Sequence, residues 1–389
     1  MTRTLSVLGA LLVPLLPPLT GAGPQSAFRS LRSGSFVKLI CGASNNDVAL
    51  VRNLCFVYTL AGCDCIDVSL DEAVLLAAAE GIAAAITHAP DSTRPLLMVS
   101  VNDFDDLHFR KAQFDVRRCP ADCPRPCERV CPAWAIPPLL ADGSAAEQDH
   151  LGVLTQRCYG CGRCVPTCPL GLIETTSYTA DRDAIRRVLS SGRAQALEIH
   201  TQAGSEQHFG ALWKEIGMDV LRHANILAVS FPENGTNTIP YLESLQTIVS
   251  NSPGFAEFRG VQIWQTDGRP MSGDIGRGTA RAACEMGLRV LEGGTHDDVF
   301  AVGKAGEQFV QLAGGTNDYS IVVAKELGLP GKAGFGGFAF GGFARKTIGK
   351  SLVSLEELSP GAKLEHHPEV LHSCLDFARR LISPIKALA

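Results

Sequence analysis

The sequence predicts an α/β protein, and more specifically a barrel of eight β/α units that carries one long insertion. Short apolar segments alternate with amphipathic helical segments, which indicates a parallel sheet, and eight such units complete a barrel. Glycine-rich segments follow the seventh and eighth of these apolar segments, where barrels often bind a phosphate. An open, doubly wound sheet is the alternative.

The predicted strands are short apolar runs of the length expected for strands. They are VKLICGA (37–43), CIDVS (65–69), LLMVSVN (96–102), ALEIHT (196–201), ILAVSF (226–231), VQIWQ (261–265), FVQLAGG (309–315) and GFAF (337–340). Segments such as EAVLLAAAEGIAAAI and GTARAACEMGLRVLE supply the helices between them.

The chain divides into five predicted parts. A targeting segment (1–33) precedes the first barrel units (34–103), and the insertion (104–180) follows the third strand. The remaining barrel units (181–355) and a C-terminal helical tail (356–389) complete the chain. The insertion should therefore lie on the C-terminal face of the barrel, where barrel enzymes keep their active sites.

Composition excludes several classes of protein. Apolar residues make up 46% of the 389 residues and charged residues 19%, which predicts a large folded core. The net charge of −5 and the absence of a basic run argue against a nucleic-acid partner. The apolar stretch at the N-terminus is too short to cross a membrane comfortably and is broken by proline. We therefore expect no membrane span in the mature chain.

The first residues are typical of a targeting address. Arg3 precedes the apolar run LSVLGALLVPLL, as in a secretory signal peptide, and a stretch rich in Ser and Arg without acidic residues follows. The first acidic residue of the chain is Asp47. This two-part layout, with Ser-Ala-Phe at 26–28, predicts plastid (chloroplast) targeting; the secretory pathway is the alternative.

The second cysteine run, RCYGCGRCVPTCP, has the spacing of bacterial ferredoxins. Three cysteines are separated by two residues each, and a fourth follows after three residues and precedes Pro169. In that pattern three thiolates hold one cubane and the fourth reaches a second cluster. The predicted ligands of this run are Cys158, Cys161, Cys164 and Cys168.

The first run, RCPADCPRPCERVCP, departs from that pattern because three residues fill every gap. Its last two cysteines match the ferredoxin spacing, so we expect a [4Fe-4S] cluster here too, with a [3Fe-4S] cluster as the alternative. Crossed ligation would put the first three cysteines of this run with Cys168, and the fourth with the other three of the second run. The predicted ligands of this run are Cys119, Cys123, Cys127 and Cys131. The insertion (104–180) is thus predicted to be a ferredoxin-like module that holds two clusters.

The other six cysteines lie in apolar segments and are expected to pack in the core. Among them, Cys63 and Cys65 form a Cys-x-Cys pair that is a candidate redox thiol pair. These six cysteines are Cys41, Cys55, Cys63, Cys65, Cys284 and Cys374.

The two late glycine segments are candidates for binding a phosphate-bearing cofactor such as FMN. Bare backbone amides at glycines and at a helix N-terminus can surround phosphate oxygens, and a neighbouring cation can add charge. Tight turns at the barrel rim are the alternative reading. The candidate residues are Gly314, Gly315, Thr316, Gly341, Gly342 and Arg345.

Polar residues at the predicted strand ends are the pool from which barrel catalysis would draw. His200 is the one among them that titrates near neutral pH, although a hydrogen-bonded structural role is the simpler reading. No catalytic residue is assigned from this set. Its members are Ser44, Asp67, Asn102, Asp103, His200, Thr201, Ser230, Gln265 and Asp267.

Three stretches carry a resemblance to a known family: GSFVKLICGASNNDVALVRNLCFVYTLAGCDCIDV, PLLMVSVNDFDDLHFRKAQFD, and the two cysteine runs. From about Gly34 onward the chain resembles the light-dependent period (LdpA) family of cyanobacteria and plastid-bearing organisms. The resemblance implies an iron–sulfur redox sensor in the light-input path of the circadian clock. It also implies clock or photosynthesis regulatory proteins as partners.

Three functions remain open from the sequence. The first is a redox sensor or electron-transfer protein that receives electrons from a redox protein or a donor linked to the quinone pool. The second is a barrel oxidoreductase that passes electrons from the clusters to a flavin or another phosphate-bearing cofactor. The third is a scaffold in which the clusters serve stability alone.

Overall fold

Eight parallel strands close into a barrel in this computed structural model, which describes residues 24–120, 122–138, 152–268, 276–293 and 306–389. The closed sheet confirms the predicted barrel over the open sheet, and each predicted segment overlaps one strand. The barrel strands are β1 (Phe36–Ile40), β2 (Cys65–Ser69), β3 (Leu96–Asn102), β6 (Ala196–His200), β7 (Ile226–Pro232), β8 (Val261–Asp267), β9 (Gln308–Ala313) and β10 (Phe335–Phe340). Neighbours follow chain order around the barrel, and β10 closes it by pairing with β1.

Helices cover the outside of the barrel, and most of them connect consecutive strands as expected for β/α units. A side sheet of β4 (Arg110–Gln113) and β5 (Glu174–Ser177) belongs to the insertion after β3. The described helices are α1 (Gln25–Arg32), α2 (Val48–Leu60), α3 (Glu72–His88), α4 (Pro126–Val130), α5 (Arg182–Ser190), α6 (Glu206–His223), α7 (Thr238–Ser250), α8 (Arg277–Gly293), α9 (Ser320–Glu326), α10 (Gly342–Leu358) and α11 (Pro368–Lys386).

Helix α1 closes the N-terminal end of the barrel. Its Phe28 and Leu31 are buried in one cluster with residues from the starts of the strands, such as Phe36 and Ile226. The end of the expected targeting segment is therefore part of the folded barrel, because α1 covers apolar side chains that would otherwise face water. The signal-like residues 1–23 lie outside the described residues.

The backbone of β10 approaches β1 unusually closely. Gly337 has a φ of 140°, and a Cβ at this position would lie 2.1 Å from the carbonyl oxygen of Phe36. The register between β10 and β9 shifts at the same point. Glycine here lets the last strand close the barrel.

The six cysteines outside the two runs are all buried, in agreement with the predicted core packing. The proposed pairing of Cys63 with Cys65 does not fit the structure. Cys65 lies in the cluster inside the barrel, whereas Cys63 precedes β2 and packs between the barrel and its helices. The wall of the sheet separates the two thiols, so they do not form a redox pair.

The predicted tail begins inside α10, and α11 then packs against the barrel near β1. Among the described residues, no helix has the length and apolar character needed to cross a membrane.

Candidate iron–sulfur centre and barrel-mouth cavity

The insertion leaves the barrel after β3 and returns before α5, so it lies at the C-terminal end of the barrel. Asn102, the last residue of β3, holds both ends of the insertion. Its side-chain amide donates to the carbonyl of Tyr178 (3.0 Å) and its oxygen accepts from the backbone N–H of Ala180 (3.0 Å). This strand-end residue therefore positions the insertion rather than substrate.

Four cysteines from both runs surround a small cavity in the insertion, and we call them the inner quartet. Backbone N–H groups donate to two of their sulfurs, from Ala135 to Cys131 (3.3 Å) and from Ala112 to Cys158 (3.4 Å). Such donors are typical around cluster sulfurs and tune their potential. The inner quartet is Cys131, Cys158, Cys161 and Cys164.

The remaining four cysteines, Cys119, Cys123, Cys127 and Cys168, form the outer quartet. Burial and then the nearby thiol of Cys123 raise the pKa of Cys119, while burial and, to a smaller extent, the thiol of Cys168 raise the pKa of Cys127. The backbone N–H of Leu172 donates to the sulfur of Cys168 (3.4 Å). The thiols are thus grouped as crossed ligation requires, although their ligation itself stays a prediction.

The cysteine sulfurs of the described residues are not grouped tightly enough to share a single zinc ion. Zinc–sulfur bonds of about 2.3 Å hold four tetrahedral sulfurs within roughly 4 Å of one another. Among the described residues, the one group of three or more donor atoms lying within 4.8 Å of one another is Asp106, His108 and His200, and it contains no cysteine.

Two glycines in the second run allow the chain to curl between its cysteines. Gly160 and Gly162 have φ values of 73° and 71°. A Cβ on Gly160 would lie 2.4 Å from the carbonyl oxygen of Arg110. These glycines let the second run turn tightly against β4.

A second cavity of about 280 Å³ occupies the mouth of the barrel beneath the insertion, and we call it the mouth cavity. Cys161 and Tyr159 line both this cavity and the cavity of the inner quartet. The guanidinium of Arg345 stacks over the ring of Tyr159 at 4.2 Å. One cysteine of the inner quartet, Cys161, and its neighbour Tyr159 therefore border both cavities.

All six candidate cofactor-binding residues line the mouth cavity. Gly314 and Gly315 have φ values of 50° and 108°, and Thr316 donates its hydroxyl to the carbonyl of Ala339 (2.5 Å). Arg345 donates to the carbonyl of Ile40 (2.6 Å) and keeps its buried Nε without a partner. The six are Gly314, Gly315, Thr316, Gly341, Gly342 and Arg345.

The other predicted strand-end residues divide between this cavity and structural roles. His200, Gln265 and Asp267 line the mouth cavity. Ser230 donates to Asp267 (2.7 Å), and Thr201 donates to Asp103 (2.6 Å). Ser44 bonds to the carbonyl of His108 in the insertion, and Asp67 accepts from Ser100 (2.8 Å) inside the barrel.

Sequence reasoning missed a charged pair inside the barrel. Lys38 and Glu198 form an ion pair whose side chains are both fully buried. Burial opposes the charge of Glu198, but Lys38 and His200 outweigh it and lower its pKa to about 2. Burial likewise opposes the charge of His200, but Glu198 raises the pKa of this imidazole to about 9. The sequence signal for this pair was a single charged residue at the centre of each of two mostly apolar strands, β1 and β6.

Asp106 and His108 were also missed, because they lie in the loop after β3 rather than at a strand end. Nδ1 of His108 lies 2.8 Å from Oδ1 of Asp106. Nδ1 of His200, at the end of β6, lies 4.0 Å from the same oxygen.

Fold and site together define a (β/α)8-barrel protein with an iron–sulfur-binding insertion at the mouth of its barrel. Residues 119–179, which contain all eight cysteines of the two runs, match a family domain described as the LdpA Fe-S cluster-binding domain. Residues 188–384 match the light dependent period A C-terminal domain.

A relative from Synechococcus elongatus, named "Light dependent period A", is 42% identical over 360 residues. The match covers 92% of this chain and 93% of the relative. The chain therefore belongs to the light dependent period A family, as its motifs predicted.

Among solved structures, the YdjI aldolase from Escherichia coli aligns with a TM-score of 0.43 and 8% sequence identity. The alignment covers 92% of this chain and 94% of that chain. Fructose-bisphosphate aldolase from Campylobacter jejuni has a TM-score of 0.43, 10% identity, and coverage of 94% and 93%. These values carry no functional argument.

Proposed function

We propose that this iron–sulfur protein is a redox sensor and electron-transfer protein that holds two clusters, one on each quartet. The main observation that supports this proposal is that Cys161 lines both the cavity of the inner quartet and the mouth cavity. Bound iron–sulfur clusters supply reversible one-electron chemistry. The chain would hold the inner group beside the mouth cavity, and the outer quartet nearer the surface.

Burial of the thiols supports this order. Two of the four inner thiols, Cys158 and Cys164, are buried, whereas only Cys127 is buried among the four outer thiols. A redox protein or a donor linked to the quinone pool would therefore exchange electrons at the outer quartet. Clock or photosynthesis regulatory proteins would read the resulting state, in keeping with the family.

Replacing one inner cysteine tests the ligand assignment. In Cys161→Ser, we expect anaerobically purified protein to lose the signal of one cluster and about half of its iron. The matched control is Cys284→Ser, which replaces a buried thiol on α8 that lies outside both quartets. Iron content equal in Cys161→Ser and the control would contradict the assignment.

A redox titration of the wild-type holoprotein separates a sensor from a scaffold. Reversible bleaching of the iron–sulfur absorbance by a mild reductant is the outcome expected of a sensor or carrier. Clusters that remain unchanged across the accessible range of potentials would support a purely structural role instead.

A barrel oxidoreductase is the second candidate, favoured by the open mouth cavity and its glycine loops. Arg345, whose buried Nε has no partner, and the N-terminus of α10 both line this cavity, and a cation beside a helix N-terminus favours binding of a phosphate. Its volume of about 280 Å³ is just below the usual range for small-molecule sites. FMN would therefore have to extend partly out of the cavity.

Acid extraction followed by flavin fluorescence tests this candidate directly. A stoichiometric flavin that is lost in Gly315→Val would support it, because a side chain there would approach Thr279 to within 2.7 Å at its Cβ. Gly331→Val is the matched control, since Gly331 also has a positive φ of 91° but faces open space. A wild-type extract without flavin would instead favour a redox sensor or electron carrier that holds only iron–sulfur clusters.

We also propose that the protein is targeted to plastids, with removal of the leader before α1 rather than at residue 33. Removing α1 would expose the apolar end of the barrel that Phe28 and Leu31 cover. N-terminal sequencing of the mature protein from isolated plastids tests this. A mature chain that starts at or beyond Gly34, or export through the secretory pathway, would contradict it.

A further inference from the structure

A carboxylate and two imidazoles converge at the edge of the mouth cavity, apart from the eight thiols. Oδ1 of Asp106 lies 2.8 Å from Nδ1 of His108 and 4.0 Å from Nδ1 of His200. The two imidazole rings lie 4.9 Å apart, between centroids. One donor atom from each of the three lies within 4.8 Å of the others. We propose that Asp106, His108 and His200 bind one divalent transition-metal ion.

The donor set defines the class of metal. Two neutral imidazoles and one carboxylate are the ligands of catalytic zinc sites and of non-haem ferrous sites, which both leave coordination positions open. A metal ion would therefore displace the Nδ1 proton of His200 when it binds. His108 and His200 line the mouth cavity, so the open positions would face its interior. The metal would then be accessible to a small ligand in the cavity.

Neighbouring side chains are arranged as supports for such ligands. Gln202 donates to Oδ2 of Asp106, which leaves Oδ1 directed at the imidazoles. Nε2 of His200 lies 3.2 Å from Oε1 of Glu198 and has no aligned hydrogen bond. A carboxylate behind an imidazole is a common second partner of metal-bound histidine, because it fixes which nitrogen faces the metal.

Burial makes the group more than a surface ion pair. The side chains of Asp106 and His200 are 1% and 6% exposed, while that of His108 is 32% exposed. The ring of Phe109 packs edge-on against the ring of His200, with centroids 5.3 Å apart, and restricts its rotation. Two ligands are thus fixed within the fold, and the third borders the route by which a metal ion could enter.

The site also joins two parts of the chain. His200 ends β6 of the barrel, whereas Asp106 and His108 belong to the first turn of the insertion. A bound metal would tie the insertion to the barrel at the same cavity that Cys161 of the inner quartet borders. This site is independent of the redox role, because none of its ligands belongs to either quartet.

Zinc binding to the cluster-loaded protein tests the proposal. Anaerobic dialysis against a chelator and then against zinc chloride, followed by elemental analysis, should give one zinc per chain with the iron content unchanged. X-ray absorption at the zinc edge should show nitrogen and oxygen ligands. Zinc bound through sulfur, or no retained zinc, would overturn the proposal.

Variants locate the site. His108→Ala and Asp106→Asn should abolish zinc retention without loss of iron, and Gln202→Ala should weaken zinc binding by about 10–100-fold. The control is His208→Ala, whose exposed imidazole stacks on Phe104 and is not one of the three ligands. Zinc retained equally by His108→Ala, Asp106→Asn and this control would refute the assignment.

Discussion

Replacing Lys38 by methionine should destabilise the barrel far more than an ordinary lysine substitution. Lys38 and Glu198 are both fully buried and paired with each other. In Lys38→Met the volume changes little, but the Glu198 carboxylate loses its main compensating charge. Removing one partner of a buried ion pair costs about 3–5 kcal/mol.

The remaining partners of Glu198 place the expected loss at the lower end of that range. Gln265 still donates to its Oε1 (2.7 Å), and Nε2 of His200 lies 3.2 Å from the same oxygen. At about 2 °C in Tm per kcal/mol for a large domain, a loss of about 3 kcal/mol lowers Tm by about 6 °C.

Thermal unfolding of anaerobic, cluster-loaded protein at one scan rate measures this effect. The control is Lys350→Met, an exposed position on α10. The double variant Lys38→Met/Glu198→Met should recover much of the loss, because it removes the unpaired charge as well. A Tm of Lys38→Met within 1–2 °C of the control, or a double variant less stable than the single one, would refute the reasoning.

Three further outcomes are expected. Gly160→Ala should lower iron retention, because the new Cβ would lie 2.4 Å from a carbonyl oxygen. The control Gly171→Ala has similar backbone strain but open space around it, so it should retain iron. Equal iron in the two variants would contradict this. Burial and then the charge of a neighbouring carboxylate raise the pKa of Asp67 to about 7, so its stabilising protonated form is lost as the pH rises through 7. Asp67→Asn should therefore show a smaller fall in Tm than wild type from mildly acidic to mildly alkaline pH, and parallel Tm curves would count against it. Deleting residues 1–33 should give a less stable barrel than deleting residues 1–23, because it also removes about 3–6 kcal/mol of apolar contact that Phe28 and Leu31 make at the barrel end; equal Tm values for the two truncations would show that α1 is dispensable.

Three features could be predicted from the sequence, because each depends on local spacing or chain order. Strand segments such as LLMVSVN show their burial through unbroken apolar runs, and their alternation with helices specifies a parallel sheet. The two-residue gaps between Cys158, Cys161 and Cys164 are a covalent constraint that survives any fold. The glycines at 314 and 315 could likewise be assigned to the barrel mouth, because loops after late strands meet there.

The tertiary structure alone decided which distant side chains meet. Lys38 was assigned only to an apolar strand segment, yet its side chain points into the barrel and pairs with Glu198. Asp106, His108 and His200 lie in two separate segments, and no local pattern marks them as neighbours until the barrel brings β3 beside β6. The opposite case is Cys63 and Cys65, which are close in sequence but pack in different clusters on opposite sides of the sheet. Local spacing encodes burial and ligand geometry, whereas contacts between segments depend on strand register and closure, which the whole sheet determines.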